Sequence, residues 1–211
     1  MKTKIYLVRH TQTTGNVEKR LTGRSDYEVT KEGQKYIEKL TNRLKDVKFD
    51  KAYSSTSGRA IKTIEPLAKL QGLEIEKTDQ LCEMYFGIYD GWKWEDVDRV
   101  DPKIKQTQND INEIAGIPEQ ESTENVANRM YQYIRAVAID NQGKVILMAS
   151  HGVAIEAFIR KVKHEKFIDN KEANSQKNTA VNIVEYDAEK DKFEVVLLND
   201  LSHLKEKDIE R

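Results

Sequence analysis

Two of the four histidines in this chain, His10 and His151, close short apolar runs: Leu7-Val8-Arg9-His10 and Met148-Ala149-Ser150-His151-Gly152. A weaker run, Asp50 to Ser54, leads through Ser54-Ser55 to Arg59 one helical turn further on. Ligands of open α/β sheets gather at the carboxyl ends of the strands, so these spacings bring Arg9, His10, Arg59 and His151 to one rim. Guanidinium forks grip a phosphate dianion and stay charged at any working pH. The same cations keep a neighbouring imidazole deprotonated, and hence nucleophilic, near neutrality. Such a set suits phosphoryl transfer to a histidine nitrogen without a metal. The second imidazole, protonated beside the dianion, would steady the oxygens of the transferring group. A leaving alkoxide needs a proton, and Glu83, after Leu81-Cys82 and before an aromatic-rich stretch, is the candidate acid. The N-terminus of a helix starting near Ser57 would add backbone donors to the same anion site.

These side chains need a scaffold, and the hydrophobic pattern supplies one. Lys4 to Val8 and Lys144 to Ser150 are continuous apolar runs, as buried parallel strands are. Thr30 to Val47 carries Tyr36, Ile37, Leu40, Leu44 and Val47 at helical spacing, with Thr30 as N-cap. Ser57 to Leu70 reads as a second helix, stopped at Gly72 and kinked or shortened by Pro66. A third begins at Ser122 and ends near Gly143, and Val153 to Val162 makes a fourth. Thr179 to Tyr186 and Lys192 to Leu198, joined by Asp-Ala-Glu-Lys-Asp, form a hairpin. The alternation predicts an α/β domain with a mainly parallel sheet.

Composition narrows the function classes. The 211 residues carry 35 basic and 36 acidic side chains, a net charge of −1, so any anion attraction is local. Nothing resembles a nucleic-acid coat or a polybasic membrane anchor. The single cysteine, Cys82, excludes an internal disulfide framework and a thiolate zinc site. The apolar run at the start is too short for a signal-peptide core or a membrane span, and the expected location is cytoplasmic. His164, within Lys161-Val-Lys-His-Glu-Lys166, reads as solvated surface.

The blocks in order resemble the histidine phosphatase superfamily, the phosphoglycerate-mutase-like fold. They are Leu7-Val8-Arg9-His10, Asn16-x3-Arg20-x2-Gly23-x2-Asp26-x3-Thr30-x2-Gly33-Gln34, Ser54-Ser55-x3-Arg59-Ala60-x2-Thr63, Glu83-x3-Gly87 with Gly91, Glu121-Ser122-x6-Arg129, Ser150-His151-Gly152 and Asn199-Asp200-x2-His203-Leu204. The resemblance implies a three-layer α/β sandwich over residues 1–204, with a cap inserted at about 84–120 and a charged tail at 205–211. It implies that His10 becomes phosphohistidine and that Arg9, Arg59 and His151 bind the phosphate. Asn16 would add an amide, and Glu83 would donate a proton and later activate water. His203 would be structural. No metal or cofactor is implied. The partner is a small phosphorylated metabolite, with no nucleic acid and no membrane; a homodimer is left open. Thr11, Gln12 and Thr22 depart from the family's usual glycine, glutamate and glutamine. Thr11 is expected to place a hydroxyl near the pocket.

Three functions compete: a phosphatase, a mutase that keeps water out, and a phosphate-binding module without turnover. The mutases carry an arginine soon after the acid and a later Arg-Arg pair. Here Met84-Tyr85-Phe86 follows Glu83, and no arginine occurs from Asp101 to Glu121, which favours hydrolysis. The complete set of five site residues speaks against an inert module. The segment from Glu83 to Trp94 holds five aromatic residues, of which Tyr85 and Trp92, with Thr22 and Gly23, are candidates for the substrate pocket. The alternative is that these rings only pack the cap. If they line the mouth, aryl phosphates should outrun small sugar phosphates.

Overall fold

The computed structural model describes residues 1–101, 117–164 and 176–205. The middle of the expected cap (102–116) and most of the tail (206–211) lie outside the described residues. The elements in order are β1 (Lys2–Arg9), α1 (Thr14–Val17), α2 (Lys31–Leu44), β2 (Lys51–Ser55), α3 (Gly58–Leu70), β3 (Ile75–Thr78), α4 (Trp94–Val100), α5 (Thr123–Asp140), β4 (Val145–Ser150), α6 (Gly152–Lys163), β5 (Val181–Asp187) and β6 (Lys192–Asp200). Single 3₁₀ turns cover Asp79–Leu81 and Gly87–Tyr89.

The six strands lie in the order β3-β2-β4-β1-β5-β6, with β1 to β4 parallel and the β5–β6 hairpin antiparallel. Alternate residues of each strand enter opposite layers. Val8, Leu147 and Ala149 face Leu40, Ile64 and Leu67 of α2 and α3. Leu7, Ile146 and Met148 face Met130 and Ile134 of α5 and Phe158 of α6. The expected α/β fold with helices on both sheet faces is therefore present.

Local chemistry accounts for the helix ends. Thr30 Oγ1 accepts the Gly33 N–H at 2.9 Å, and Ser122 Oγ accepts the Asn125 N–H at 3.1 Å, each capping its helix. Gly72, at φ +67°, ends α3 as expected. Pro66 does not shorten α3: it sits on the exposed face, where the Lys62 carbonyl that loses its helical partner meets solvent. The short strand β3, with few apolar residues, and the single-turn α1 carry too weak a pattern to be read from sequence.

The topology creates the site. From β1 the chain crosses to β2 on one side of β4; from β4 it crosses to β5 beyond β1. The first carries α2 over one face and the second carries α6 over the other, so the two part to opposite faces between neighbours β1 and β4, where a crevice opens at the carboxyl ends. Arg9 pairs with Ser150 in register, and the His10 N–H donates to the Ser150 carbonyl at 2.9 Å. His10 and His151 thus leave adjacent strands side by side.

Candidate active site

The two imidazole centroids stand 5.1 Å apart, and both rings are buried. His10 Nδ1 lies 2.7 Å from the Thr11 carbonyl, which can only accept, so Nδ1 carries the proton and the Nε2 lone pair is free. His151 Nε2 lies 2.7 Å from Ser55 Oγ. With the serine hydroxyl donating, His151 Nδ1 becomes an N–H donor, and Nδ1 has no partner among the described residues. Burial holds both imidazoles well below the ordinary histidine range, with Arg59 and Arg9 adding to it; each ring is neutral in the resting site. Protonation of His151 therefore requires the charge of a bound dianion.

Arg9 donates through Nη1 to the Gln176 carbonyl. Burial brings its guanidinium down to about 10, against the pull of Glu83, and it stays charged at neutrality. Arg59 is 1% exposed and held by one loop: Nη1 donates to the Ser25 carbonyl (2.7 Å) and Asp26 (3.0 Å), Nη2 to the Thr22 (3.1 Å) and Gly23 (2.8 Å) carbonyls. The terminal nitrogens of Arg59 thus order residues 22–26, and only Nε is left for a ligand. Asn16 Oδ1 accepts from the Thr13 N–H, the Thr13 hydroxyl and Asn178 Nδ2, which turns the amide nitrogen outward.

Glu83, 6% exposed, sits on the N-terminus of α6. Its Oε1 accepts the N–H groups of Met84 (2.8 Å) and Ala154 (2.9 Å), and Oε2 that of Val153 (3.1 Å). Oε2, with one partner against two, is the oxygen with room for a proton. Arg129 holds the same loop from behind: Nη2 donates to the Glu83 carbonyl at 3.1 Å and Nη1 to Gln80 at 2.8 Å, while a fork of 2.7 and 3.0 Å binds Glu121.

Four buried donors close to this centre lack an acceptor among the described residues: Arg9 Nε, Arg59 Nε, His151 Nδ1 and Gln176 Nε2. A buried donor without a partner costs about 1–3 kcal/mol, so a cluster of them marks a place built for an acceptor. A tetrahedral oxyanion supplies acceptors in every direction. Beyond this centre opens a cavity of about 490 Å³, lined by Arg9, Asn16, Glu83, Gly152 and Gln176 together with Lys19, Arg20, Leu21, Thr22, Phe86, Trp94, Val153 and Glu156.

Several expectations need correction. The α3 N-terminus near Ser57 is not a free anion site: the Asp26 carboxylate takes the Gly58 N–H at 2.6 Å. The helix N-terminus used here is that of α6, and it holds Glu83. Tyr85 and Trp92 do not line the cavity. Tyr85 is tied to Glu121 through its backbone, and Trp92, 42% exposed, stacks edge-on with Tyr89. Their neighbours Phe86 and Trp94 form the wall instead. Thr22 lines it, but Gly23 does not; its absent side chain leaves room for Asp90 and the Met84 carbonyl. The Thr11 hydroxyl faces α2, donating to the Gly33 carbonyl at 2.7 Å. Gln12 accepts from Thr30 at 2.8 Å. His203, brought down to about 4 by burial and Arg43, braces Thr179 at 3.0 Å and is structural. His164 is exposed and ends α6 at φ +58°. Gln176 and the bracing roles of Ser55 and Arg129 escaped sequence reasoning, since each depends on a contact distant in the chain.

Two histidines, two arginines and one acid at the switch point of a three-layer α/β sheet define a phosphoryl-handling protein. The chain belongs to the histidine phosphatase superfamily (branch 1), whose family model matches residues 5–201. A probable phosphoglycerate mutase of Erwinia tasmaniensis is 27% identical over 155 residues, covering 74% of this chain and 72% of that one. Among solved structures, YhfR of Bacillus stearothermophilus superposes with a TM-score of 0.90 at 26% identity, covering 96% of this chain and all of that one. A mycobacterial glucosyl-3-phosphoglycerate phosphatase, at 18% identity and a TM-score of 0.83 over 95% of this chain and all of that one, shares the fold. No helix among the described residues is long and apolar enough to cross a membrane.

Proposed function

We infer that the protein is a phosphatase acting on phosphomonoesters through a phosphohistidine at His10. The observation that carries the reading is the ring of unpartnered buried donors around a histidine whose tautomer is fixed. His10 Nε2 attacks phosphorus in line; the N–P bond forms as the P–O bond to the leaving group breaks. Arg9, Arg59, His151 and the Asn16 amide hold the equatorial oxygens, and the proton on Glu83 Oε2 passes to the departing alkoxide. In the second half, Glu83 takes a proton from water, whose oxygen attacks phosphorus and restores the neutral imidazole. Every proton is accounted for within the residues present, and no metal enters the scheme.

The apolar wall of Leu21, Phe86, Trp94 and Val153 supports leaving groups larger and less polar than a three-carbon acid. The second reading, a phosphoglycerate mutase, is favoured by the names of the curated relatives. Product analysis separates the two: a phosphatase releases inorganic phosphate from phosphoglycerate, a mutase yields its positional isomer. Glu83→Gln tests the proton transfer. Alkyl phosphates, with poor leaving groups, should slow by roughly 10²–10⁴, and activated aryl phosphates far less. Equal slowing of both would assign Glu83 another role.

A further inference from the structure

The single turn α1 ends in an unusual way. The Lys19 N–H donates to the Asn16 carbonyl at 3.1 Å and the Arg20 N–H to the Gly15 carbonyl at 2.8 Å, the paired bonds of a Schellman motif. The C′ position of that motif takes a left-handed backbone that glycine adopts freely, yet here it is a lysine at φ +53°. An L side chain held there is a strain that the surroundings must offset, and such strain collects at ligand-binding positions.

Lys19 lines the cavity that opens beside Arg9 and Glu83. The other charged residues of that lining are engaged. Arg9 binds the Gln176 carbonyl, and Arg20 binds Glu18 at 2.6 Å and the Gly91 carbonyl at 2.9 Å. Glu83 takes three backbone N–H groups, and Glu156 pairs with Arg160 at 2.9 Å. The Lys19 ammonium has no partner among the described residues. Its carbonyl accepts the Trp94 N–H at 3.0 Å, which ties the Lys19 backbone to the aromatic wall. A cavity of about 490 Å³ is far larger than a phosphoryl group needs.

We propose that Lys19 forms a second-anion subsite, and that the preferred substrate is a phosphomonoester whose leaving group joins an apolar body to a further acidic group. The proposal rests on the phosphatase reading, because it treats the cavity as leaving-group space. The phosphate meets the buried donors, the apolar body lies against Phe86 and Trp94, and the far acid meets Lys19. A phosphorylated aromatic or branched carboxylic acid has this form; an unsubstituted sugar phosphate does not.

The test compares para-carboxyphenyl phosphate with para-tolyl phosphate, which share one body and differ in charge. Dissociation constants are measured calorimetrically on His10→Ala, alone and combined with Lys19→Gly or Lys19→Gln. Specificity constants are measured on the corresponding chains with His10 intact. Glycine removes charge and strain together; glutamine removes the charge and keeps the strain. The preference for the carboxylate should fall about fivefold in both Lys19 variants, as an exposed ion pair of about 1 kcal/mol requires. Raised ionic strength should erode it in the parent protein. A preference identical in all three chains overturns the subsite. Phosphate release from the tolyl ester reads the phosphatase assignment separately. If binding follows Lys19 while no phosphate is released, hydrolysis falls and the subsite stands; if phosphate is released and the preference ignores Lys19, the reverse holds.

Discussion

Arg129 lies 46 positions beyond Glu83 in the chain, yet its side chain holds the loop that delivers the acid. Its guanidinium forks Glu121 at 2.7 and 3.0 Å and donates to the Gln80 and Glu83 carbonyls. The two side chains are 14% and 17% exposed, between a surface pair worth up to about 1 kcal/mol and a buried pair whose rupture costs about 3–5 kcal/mol. Arg129→Ala also frees the part-buried Glu83 carbonyl and the exposed Gln80 carbonyl, so a loss of about 3 kcal/mol follows. For a chain of this length that lowers Tm by about 6–12 °C. A double-mutant cycle with Glu121→Gln, read by urea denaturation, should return a coupling of about 1.5–3 kcal/mol. The catalytic consequence is selective. With the Glu83 backbone released, alkyl phosphates should slow more than aryl phosphates, as for Glu83→Gln but less severely, and Arg129→Lys should recover only part because it cannot fork. A coupling below about 0.5 kcal/mol, or equal slowing of both ester classes, would refute the argument.

Three further outcomes follow from the same geometry. A Cβ added at Gly152 would lie 3.4 Å from Arg9 Nε and 3.7 Å from Glu83 Oε2, ordinary contact that fills the space between them. Gly152→Ala should therefore fold with unchanged or raised Tm while kcat/KM drops tenfold or more, about 1.4 kcal/mol at least; retained activity would show that the reacting group sits elsewhere. The buried imidazoles give a defined pH response. Because His10 and His151 titrate in the folded chain below the unfolded value, the unfolded state binds more protons in that interval. Stability is then full above the unfolded histidine range and declines as pH falls below it, and the His10 and His151 carbon resonances should titrate below the ordinary histidine value. Resonances that titrate at the ordinary value would contradict the burial argument.

The site was legible where the chemistry is carried by residues at strand ends. Arg9, His10 and His151 follow apolar runs, and parallel pairing of β1 with β4 sets them side by side. The helix caps at Thr30 and Ser122 and the stop at Gly72 were legible for a similar reason, since each is a local hydrogen-bond or backbone requirement. Where residues meet through the tertiary fold the reading faltered. Asp26 occupies the α3 N-terminus from 32 positions away, and Glu83 reaches the α6 N-terminus from 70. Within the aromatic segment the composition was right and the phase was wrong: a turn at Gly87, φ +59°, directs Phe86 rather than Tyr85 to the cavity. The Thr11 hydroxyl looked like a pocket group because its contact with Gly33 lies 22 residues on.

The central claim is that His10 carries the phosphoryl group during turnover. Rapid acid-free quenching of the protein with a labelled phosphomonoester, followed by peptide mapping, tests it directly. The account predicts a base-stable, acid-labile phosphoryl group on His10, absent from a folded His10→Ala variant that has also lost turnover. Turnover that persists in His10→Ala, or a label found on another residue, would contradict it.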